Sequence, residues 1–444
     1  HSRDDQSAGL SRRFSDKTAT IAVLGMGYVG IPLAHAVLQA GYPAIGIDTD
    51  PWRVDALQRG EPYIGHLDEQ VFARLAGSDS FGATADLRAL GKADAVLVCV
   101  PTPLDASHAP DLGAIKQAAG DIATFGRPDQ LVVLESTTYP GTTREILLPA
   151  LASAEVDPAS PESRSPLIAY SPERLDPGGP STFESVPKLV AGLDDRSLEL
   201  AVKLYENVFG EVRPVRSLET AEAAKLLENT FRAVNIALVN ELKVALTPLG
   251  IDIWDVVAAA SSKPFGFMPF YPGPGVGGHC IPVDPTYLAW RSRGQDAPLA
   301  LTEAAIRINT AMPRYVIGQL SRALEHRNRP LAGAAILVVG VSYKPDISDV
   351  RGSPGVEILH QLQRLGATVG YHDPHVPQLE SGPIRLDSLP WRQSSVADFD
   401  AAIVCTDHAA VDLSLLTDAP LVIIDTRNAM QRRGLAGSAP IVKA

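Results

Sequence analysis

Cys280 stands in the stretch Phe270-Tyr271-Pro272-Gly273-Pro274-Gly275-Val276-Gly277-Gly278-His279-Cys280-Ile281-Pro282-Val283-Asp284-Pro285. Its glycines let backbone amides approach a ligand, while its prolines limit how slack the loop becomes. Cys99 and Cys405 fall inside apolar strand-like runs, so Cys280 is the good candidate for a reactive thiol. Far upstream, Gly25-Met26-Gly27-Tyr28-Val29-Gly30 follows an apolar run and opens a helical pattern, and Asp48 ends the next apolar run. In that context the GxGxxG is a dinucleotide fingerprint. Gly25 allows the tight turn, Gly27 lets the backbone approach a pyrophosphate, Gly30 lets the helix pack close to the strand, and Tyr28 and Val29 complete the loop at a helix N-terminus that favours an anion. Asp48 should hydrogen-bond the ribose diol and repel a 2′-phosphate, which favours NAD over NADP. A thiol beside such a site has a definite use, because its attack on an aldehyde gives a thiohemiacetal from which a second hydride can leave, producing a thioester. On the loop alone, an inert cysteine in a structural turn is an equal reading.

Further candidates carry weaker signals. Lys225, Asn229 and Arg232 lie at i, i+4 and i+7 of a helical pattern, hence on one face, where they could stabilise an oxyanion and bind a ligand or could equally form a solvated face. Val100-Pro101-Thr102-Pro103 and Ser136-Thr137-Thr138 each follow a strand and would reach the carboxyl edge of a sheet, where cofactors bind; ordinary turns are the other reading. His279 reads as a loop-shaping residue rather than a base. No second His or Cys stands near Cys280 at ligand spacing, so no metal site is expected.

The elements that must position these residues follow from the hydrophobic pattern. With 444 residues, 45% hydrophobic and 20% charged, the chain can bury a large core and should form two or three domains. Strands are expected at Thr20 to Leu24, Ala44 to Ile47, Ala95 to Val100, Leu131 to Leu134 and Leu167 to Tyr170, alternating with helices, which implies a parallel, doubly wound sheet. A long helix up to Leu246, with Leu227, Phe231, Val234, Leu238 and Leu242 as its apolar positions, opens a central helical segment, which the irregular stretch Lys263 to Pro285 interrupts. Strands restart with Ala335 to Val339, Thr368 to Tyr371, Ala401 to Cys405 and Leu421 to Ile424. The fold expected is therefore α/β, two doubly wound Rossmann-like domains joined by a central helical domain. The divisions are a disordered tail over 1–17, a dinucleotide-binding domain over 18–212, a helical domain over 213–328 and a second nucleotide-fold domain over 329–444.

A net charge of −12 argues against a chain that coats nucleic acid or an anionic membrane, so an anionic ligand must meet a local cluster of positive charge. Three cysteines without CxxC spacing supply no disulfide framework, which points to a reducing cytoplasm. No window of about 18 apolar residues occurs, and residues 1–17 lack the apolar middle of a signal peptide.

Taken in order, the motifs resemble the UDP-glucose/GDP-mannose 6-dehydrogenase family from about Thr18 to the end, and within it the UDP-N-acetylhexosamine branch, UDP-N-acetylglucosamine 6-dehydrogenases above all. Besides Gly25 to Gly30 with Asp48, the resemblance rests on Glu135-Ser136-Thr137-Thr138-Tyr139-Pro140-Gly141-Thr142-Thr143, Ser171-Pro172-Glu173-Arg174 with Asp176-Pro177-Gly178, and Asn229 to Asn235. Lys263 to Tyr271 running into the cysteine loop, and Tyr343-Lys344-Pro345-Asp346 with Asp349, Arg351, Ser353 and Pro354, complete it. It implies NAD-dependent, four-electron oxidation of a sugar C6 alcohol to the acid through aldehyde and thioester, feeding a uronic acid to a polysaccharide or a glycosylated natural product. It makes Cys280 the nucleophile, Lys225 and Asn229 the oxyanion stabilisers, and Asp284 the residue that positions water and helps the first proton transfer. Glu173 becomes the base for thioester hydrolysis, with Thr137 holding the water. The UDP-sugar would meet Lys344, the loop amides of Gly275, Gly277 and Gly278, Phe270, Tyr271, Arg232, and Glu173, Arg174 and Leu175. NAD would meet the fingerprint, Val100, Pro101, Thr102, Ser136, Thr137 and Arg351. A homodimer is expected from the apolar surface of the long helix. Arg174, Asp176 and Pro177 stand where UDP-glucose enzymes carry a second acidic residue, which favours an N-acetylated sugar, and Gly352 stands where a glutamate commonly follows the motif arginine. The same chemistry on UDP-N-acetylmannosamine or UDP-glucose, and a silent UDP-sugar or NAD binder, are the rival readings.

Overall fold

Short β-branched and aliphatic runs bounded by Gly, Pro and Asp become the strands of two sheets. The computed structural model describes residues 3–65, 67–154, 166–174 and 185–444. The strands β1 (Ile21–Leu24), β2 (Ala44–Ile47), β3 (Phe81–Thr84), β4 (Ala95–Val98), β5 (Leu131–Leu134), β6 (Leu167–Tyr170), β7 (Lys188–Gly192) and β8 (Val212–Pro214) form a sheet in the order β3-β2-β1-β4-β5-β6-β7-β8. Neighbours run parallel except β6 with β7. Strand β1 pairs with both β2 and β4, Ile21 facing Ala44 on one side and Ala95 on the other, so the order reverses beside it. Such a reversal opens a crevice at the carboxyl ends of the strands, and the Gly25 turn leaves β1 there. β1, β4, β5 and β6 are buried throughout, as strands covered on both faces are.

The N-terminal segment departs from the expected disordered tail. Arg3–Ser15 is a helix, with Leu10 and Phe14 buried in the core of the first sheet. Tyr42 donates its hydroxyl to the Phe14 carbonyl at 2.7 Å, and Arg13 pairs with Asp94 at 2.8 Å. Leu10 and Phe14 are i and i+4 on one face, an apolar pair that the polar composition around them hid.

A second sheet is built from β9 (Ala335–Val339), β10 (Thr368–His372), β13 (Ala401–Val404), β14 (Val422–Asp425) and β15 (Ile441–Lys443) in the parallel order β10-β9-β13-β14-β15, with β11 (Gln378–Ser381) and β12 (Ile384–Asp387) as a separate hairpin. In chain order, the helices Leu218–Leu246, Ile253–Ser261, Cys280–Arg293 and Ala300–Glu325 lie between the sheets. The chain divides into two compact units, residues 1–228 with 290–295, and 229–289 with 296–444. Among the described residues no helix is long and apolar enough to cross a membrane.

Candidate functional site

In the first unit the three fingerprint glycines differ in what surrounds them. Gly25 has φ +98°, and a Cβ there would lie 2.7 Å from the Cys99 carbonyl oxygen. A Cβ on Gly30 would lie 1.9 Å from the Gly25 carbonyl oxygen, so the helix Gly30–Gln39 packs on the loop at a distance that excludes any side chain. A Cβ on Gly27 would meet nothing within 4 Å, which leaves the room a pyrophosphate needs. Asp48 is buried; one carboxylate oxygen accepts from the Met26 N–H at 2.8 Å and the other from the Asp50 N–H at 2.9 Å, with Arg53 Nη1 at 3.4 Å. Asp48 thus holds the glycine turn as well as standing at the end of β2. Tyr63, which the sequence did not mark, donates to the Met26 carbonyl from the other side at 2.7 Å. Along the same edge Ser136 Oγ donates to the Val100 carbonyl at 2.7 Å, tying the two loops expected to flank the cofactor. Thr102 is buried, Pro101 exposed, and Tyr28, Val29 and Thr137 are half-buried. These residues fit a bound dinucleotide.

Beside them lies the Ser-Pro-Glu turn. Glu173 Oε1 accepts from the Arg174 N–H at 2.6 Å, while the Arg174 guanidinium pairs with Glu228 and donates to the Pro187 carbonyl at 2.8 Å. Leu175, Asp176, Pro177 and Gly178 lie outside the described residues. On the helix Leu218–Leu246, Lys225 is 5% exposed and Asn229 fully buried, so the reading of their face as solvated falls away. Glu222, one turn before Lys225 and unmarked in the sequence, accepts from the Gly141 N–H at 2.6 Å and from the Thr143 N–H and hydroxyl at 2.9 and 2.6 Å. Burial pushes its carboxyl up, and those three bonds oppose the shift.

In the second unit, Cys280 is not within an irregular loop: it is the first residue of the helix Cys280–Arg293. Pro282 falls in the first turn, where a missing N–H costs the helix nothing, while Pro285 lies within the helix and removes one of its hydrogen bonds. A helix N-terminus favours the thiolate. Asp284 follows one turn later on the same face, 3% exposed, and accepts from the Asn229 amide, whose oxygen accepts in turn from Arg232. The amide of Asn229 is thereby oriented from both ends. Burial, then the Arg351 charge, lowers the His279 pKa, so this ring favours its neutral form. Arg351 itself forms a forked pair with Asp349, Nε at 3.0 Å from both oxygens. The other two thiols are poor nucleophiles: burial and the Glu135 charge push Cys99 far up, and burial pushes Cys405 to about 12.

The glycines of the cysteine loop serve close packing within this unit. A Cβ on Gly277 would lie 2.6 Å from Tyr343 Cβ and 2.9 Å from the Gly352 carbonyl oxygen; one on Gly278, at φ +81°, would lie 2.8 Å from the Tyr343 ring. The Gly278 N–H donates to the Arg351 carbonyl at 2.9 Å, so this amide, expected to face the ligand, is committed within the protein. Gly352 has φ +59°, and a Cβ there would lie 3.2 Å from the Gly278 carbonyl oxygen, so a side chain at this position would be strained. Further back, the Gly273 N–H donates to Asn240 at 3.0 Å, Asn240 donates to Asn309 at 2.9 Å, and Asn309 donates to the Ala233 carbonyl at 2.9 Å. Phe270 meets Phe231 edge-on at 5.8 Å and Tyr271 stacks on Trp254 at 5.2 Å. Gly277→Ala should therefore lower stability by about 1 to 3 kcal/mol through overpacking against Tyr343, read as a fall in Tm; an unchanged Tm would show that the loop yields freely.

Lys344 is half-buried, in a turn braced by Ser342 Oγ donating to the Lys344 carbonyl at 2.9 Å and by His408 Nδ1 accepting from the Asp346 N–H at 3.0 Å. His408 Nε2 lies 3.0 Å from Asp373. Asp346, His375 and His408 bring ligand-type atoms within 4.8 Å of one another, but both nitrogens of His408 face protein partners and the cluster shapes the turn. Lys188 and Glu222 went unmarked, and Glu135 stood out only as part of a motif, because the partners of a buried charge leave no periodic signal; Asn240 and Asn309 were missed because their partner is known only once the helices pack.

Comparison with known proteins gives three matches along the chain, all to the UDP-glucose/GDP-mannose dehydrogenase family: its NAD binding domain over residues 19–209, its central domain over 219–311 and its UDP binding domain over 337–432. A UDP-N-acetyl-D-glucosamine 6-dehydrogenase of Pseudomonas aeruginosa is 33% identical over 88% of this chain and 91% of its own. An NDP-N-acetyl-D-galactosaminuronic acid dehydrogenase of Ralstonia nicotianae is 33% identical over 94% and 97%. The solved UDP-D-ManNAc dehydrogenase of Pyrococcus horikoshii superposes with a TM-score of 0.81 at 29% identity, covering 92% of this chain and 96% of that one.

Proposed function

Since the chain belongs to the UDP-glucose/GDP-mannose dehydrogenase family, we propose that it oxidises the C6 hydroxyl of UDP-N-acetylglucosamine to the uronic acid through an aldehyde and a thioester on Cys280. The chain is an NAD-dependent UDP-sugar dehydrogenase. The choice of sugar is supported by the Pseudomonas aeruginosa relative and by the basic Arg174 after Ser-Pro-Glu. The observation that carries the mechanism is Cys280 at the start of a helix with buried Asp284 one turn on, tied through Asn229 to Arg232.

NAD would be held by Gly25, Gly27, Gly30, Asp48, Val100, Pro101, Thr102, Ser136 and Arg351, and when bound it supplies the hydride acceptor for both oxidations. Asp284 takes the proton from the C6 hydroxyl, while Lys225 and the second N–H of the Asn229 amide stabilise the alkoxide. Once the aldehyde has formed, the Cys280 thiolate adds to its carbon. Lys225 and Asn229 again meet the oxyanion, and loss of a second hydride leaves the thioester. Thr137 holds a water, Glu173 takes its proton, the oxygen attacks the thioester carbon, and the C–S bond breaks to release the acid and restore the thiolate. Lys344 and Arg232 balance the diphosphate charge, with Phe270 and Tyr271 packing beside the nucleotide.

On the helix Leu218–Leu246, Leu227, Phe231, Leu238 and Leu242 are 66%, 46%, 52% and 38% exposed at spacings that share a face. This surface fits a homodimer, and sedimentation showing only monomer at micromolar concentration would remove that assignment. Three free cysteines suit a cytoplasmic setting.

The test is NADH formed per mole of limiting UDP-N-acetylglucosamine, with UDP-N-acetylmannosamine and UDP-glucose in parallel. About two NADH with an acid product supports the thioester route and names the sugar. About one would leave an aldehyde or ketone product and remove Cys280 from the chemistry, and none with any of the three would favour binding without turnover.

A further inference from the structure

We infer that Lys188, held back by Glu135, sets the position and the proton affinity of Glu173, and so is a positioning residue for the carboxylate that activates water. This rests on the reading of Glu173 as the base and assigns it a support that lies wholly within the first unit.

Lys188 opens β7, and its side chain is 4% exposed. A buried ammonium persists only where its donors are satisfied, and this one has three distinct partners. Nζ lies 2.5 Å from Glu135 Oε2, 3.3 Å from the Pro172 carbonyl and 3.8 Å from Glu173 Oε2. The other oxygen of Glu135 accepts from the Tyr205 hydroxyl, and the Tyr205 and Phe209 rings lie 5.6 and 5.1 Å from Nζ. Burial works against the Lys188 charge, but the Glu135 and Glu173 carboxylates outweigh it and raise the lysine pKa. Lys188 therefore stays charged.

The two carboxylates stand at unequal distances. Glu135 is fully hydrogen-bonded to the ammonium, whereas 3.8 Å is an ion-pair distance beyond hydrogen-bond reach. The ammonium thus gives its hydrogen bonds to Glu135 and Pro172 and stands beside Glu173 Oε2 at ion-pair distance, close enough for its charge to act on that carboxyl. The Pro172 contact holds the backbone immediately before Glu173, so one lysine touches both the turn and its carboxylate. Among the described residues, the charged and titratable groups facing this cluster include Glu135 after β5, Cys99 after β4, Tyr205 on the helix Asp195–Glu206, and Arg174, whose N–H bonds Glu173 while its guanidinium pairs with Glu228. Among the described residues, Glu135 is the carboxylate that Lys188 Nζ approaches most closely.

The two substitutions then act in opposite directions. Lys188→Met removes the positive charge, so Glu173 holds its proton more tightly and the acid limb of thioester hydrolysis moves up by about one pH unit or more. On the acid side this is about a tenfold slower release. Glu135→Gln removes the competing anion, lets the ammonium close on Glu173, and moves the limb down. Lys188→Arg keeps the charge and should return the limb towards that of the unaltered enzyme.

The measurement is single-turnover release of acid from the enzyme thioester against pH, by rapid quench, on the full chain with saturating UDP-N-acetylglucosamine and NAD, Glu173→Gln being the reference. If Glu173→Gln keeps the acid limb, the base reading fails. If Glu173→Gln loses the limb while Lys188→Met and Glu135→Gln both leave it in place, the Lys188 inference fails and the base reading survives. Opposite displacements by the two variants support it, since a general loss of folding lowers the rate without moving the limb in two directions.

Discussion

Cys280→Ala is expected to lower acid formation by at least about 1000-fold, the loss seen when a covalent nucleophile is removed from a site whose other groups remain. In the proposed route the thiolate would split aldehyde oxidation into an addition and a hydride loss, each with a lower barrier than direct oxidation, and alanine would remove the first of these. Cys280 stands at the first position of the helix Cys280–Arg293, and the loop before it is held through Gly273, Asn240 and Asn309. The variant should therefore fold and bind UDP-sugar. Product mass and NADH yield are the readouts, with yield falling from about two per sugar to about one or less. Full conversion to acid by Cys280→Ala would overturn covalent catalysis.

Lys225→Ala should lower kcat by about 100- to 1000-fold with a smaller change in KM, as removal of one oxyanion donor does. The ammonium is buried, where an interaction with developing negative charge is stronger than in water. Lys225→Arg, which keeps the charge but changes the geometry of the donors, should recover part of the loss. Steady-state kinetics on NADH formation decide the case. A change confined to KM would reassign Lys225 to ground-state binding of the UDP-sugar.

Much of this was legible because local order carries it. The turn at Gly25 to Gly30 needs residues without side chains at particular places, and the near-contacts at Gly25 and Gly30 and the open space at Gly27 match those needs one by one. The strands Leu131–Leu134 and Leu167–Tyr170 coincide with their apolar runs because a strand buried on both faces is apolar throughout. Strands β3, β7, β8, β11, β12 and β15 escaped notice: β3, β8, β11, β12 and β15 are partly exposed, and β7 begins with a lysine.

Residue type and spacing along the chain decided the two nucleotide-fold sheets, the dinucleotide loop with Asp48, and the choice of Cys280 over Cys99 and Cys405, since each depends on backbone conformation or on periodic burial within a few residues. Tertiary structure alone decided that Cys280 begins a helix, that Leu10 and Phe14 dock on the first core, and that Gly278 packs against the Tyr343 ring where no side chain fits. It alone decided that Lys188 stands between Glu135 and Glu173, 53 residues from the one and 15 from the other. The energy of a buried charge is set by partners brought close by folding, and separation along the chain does not encode that proximity.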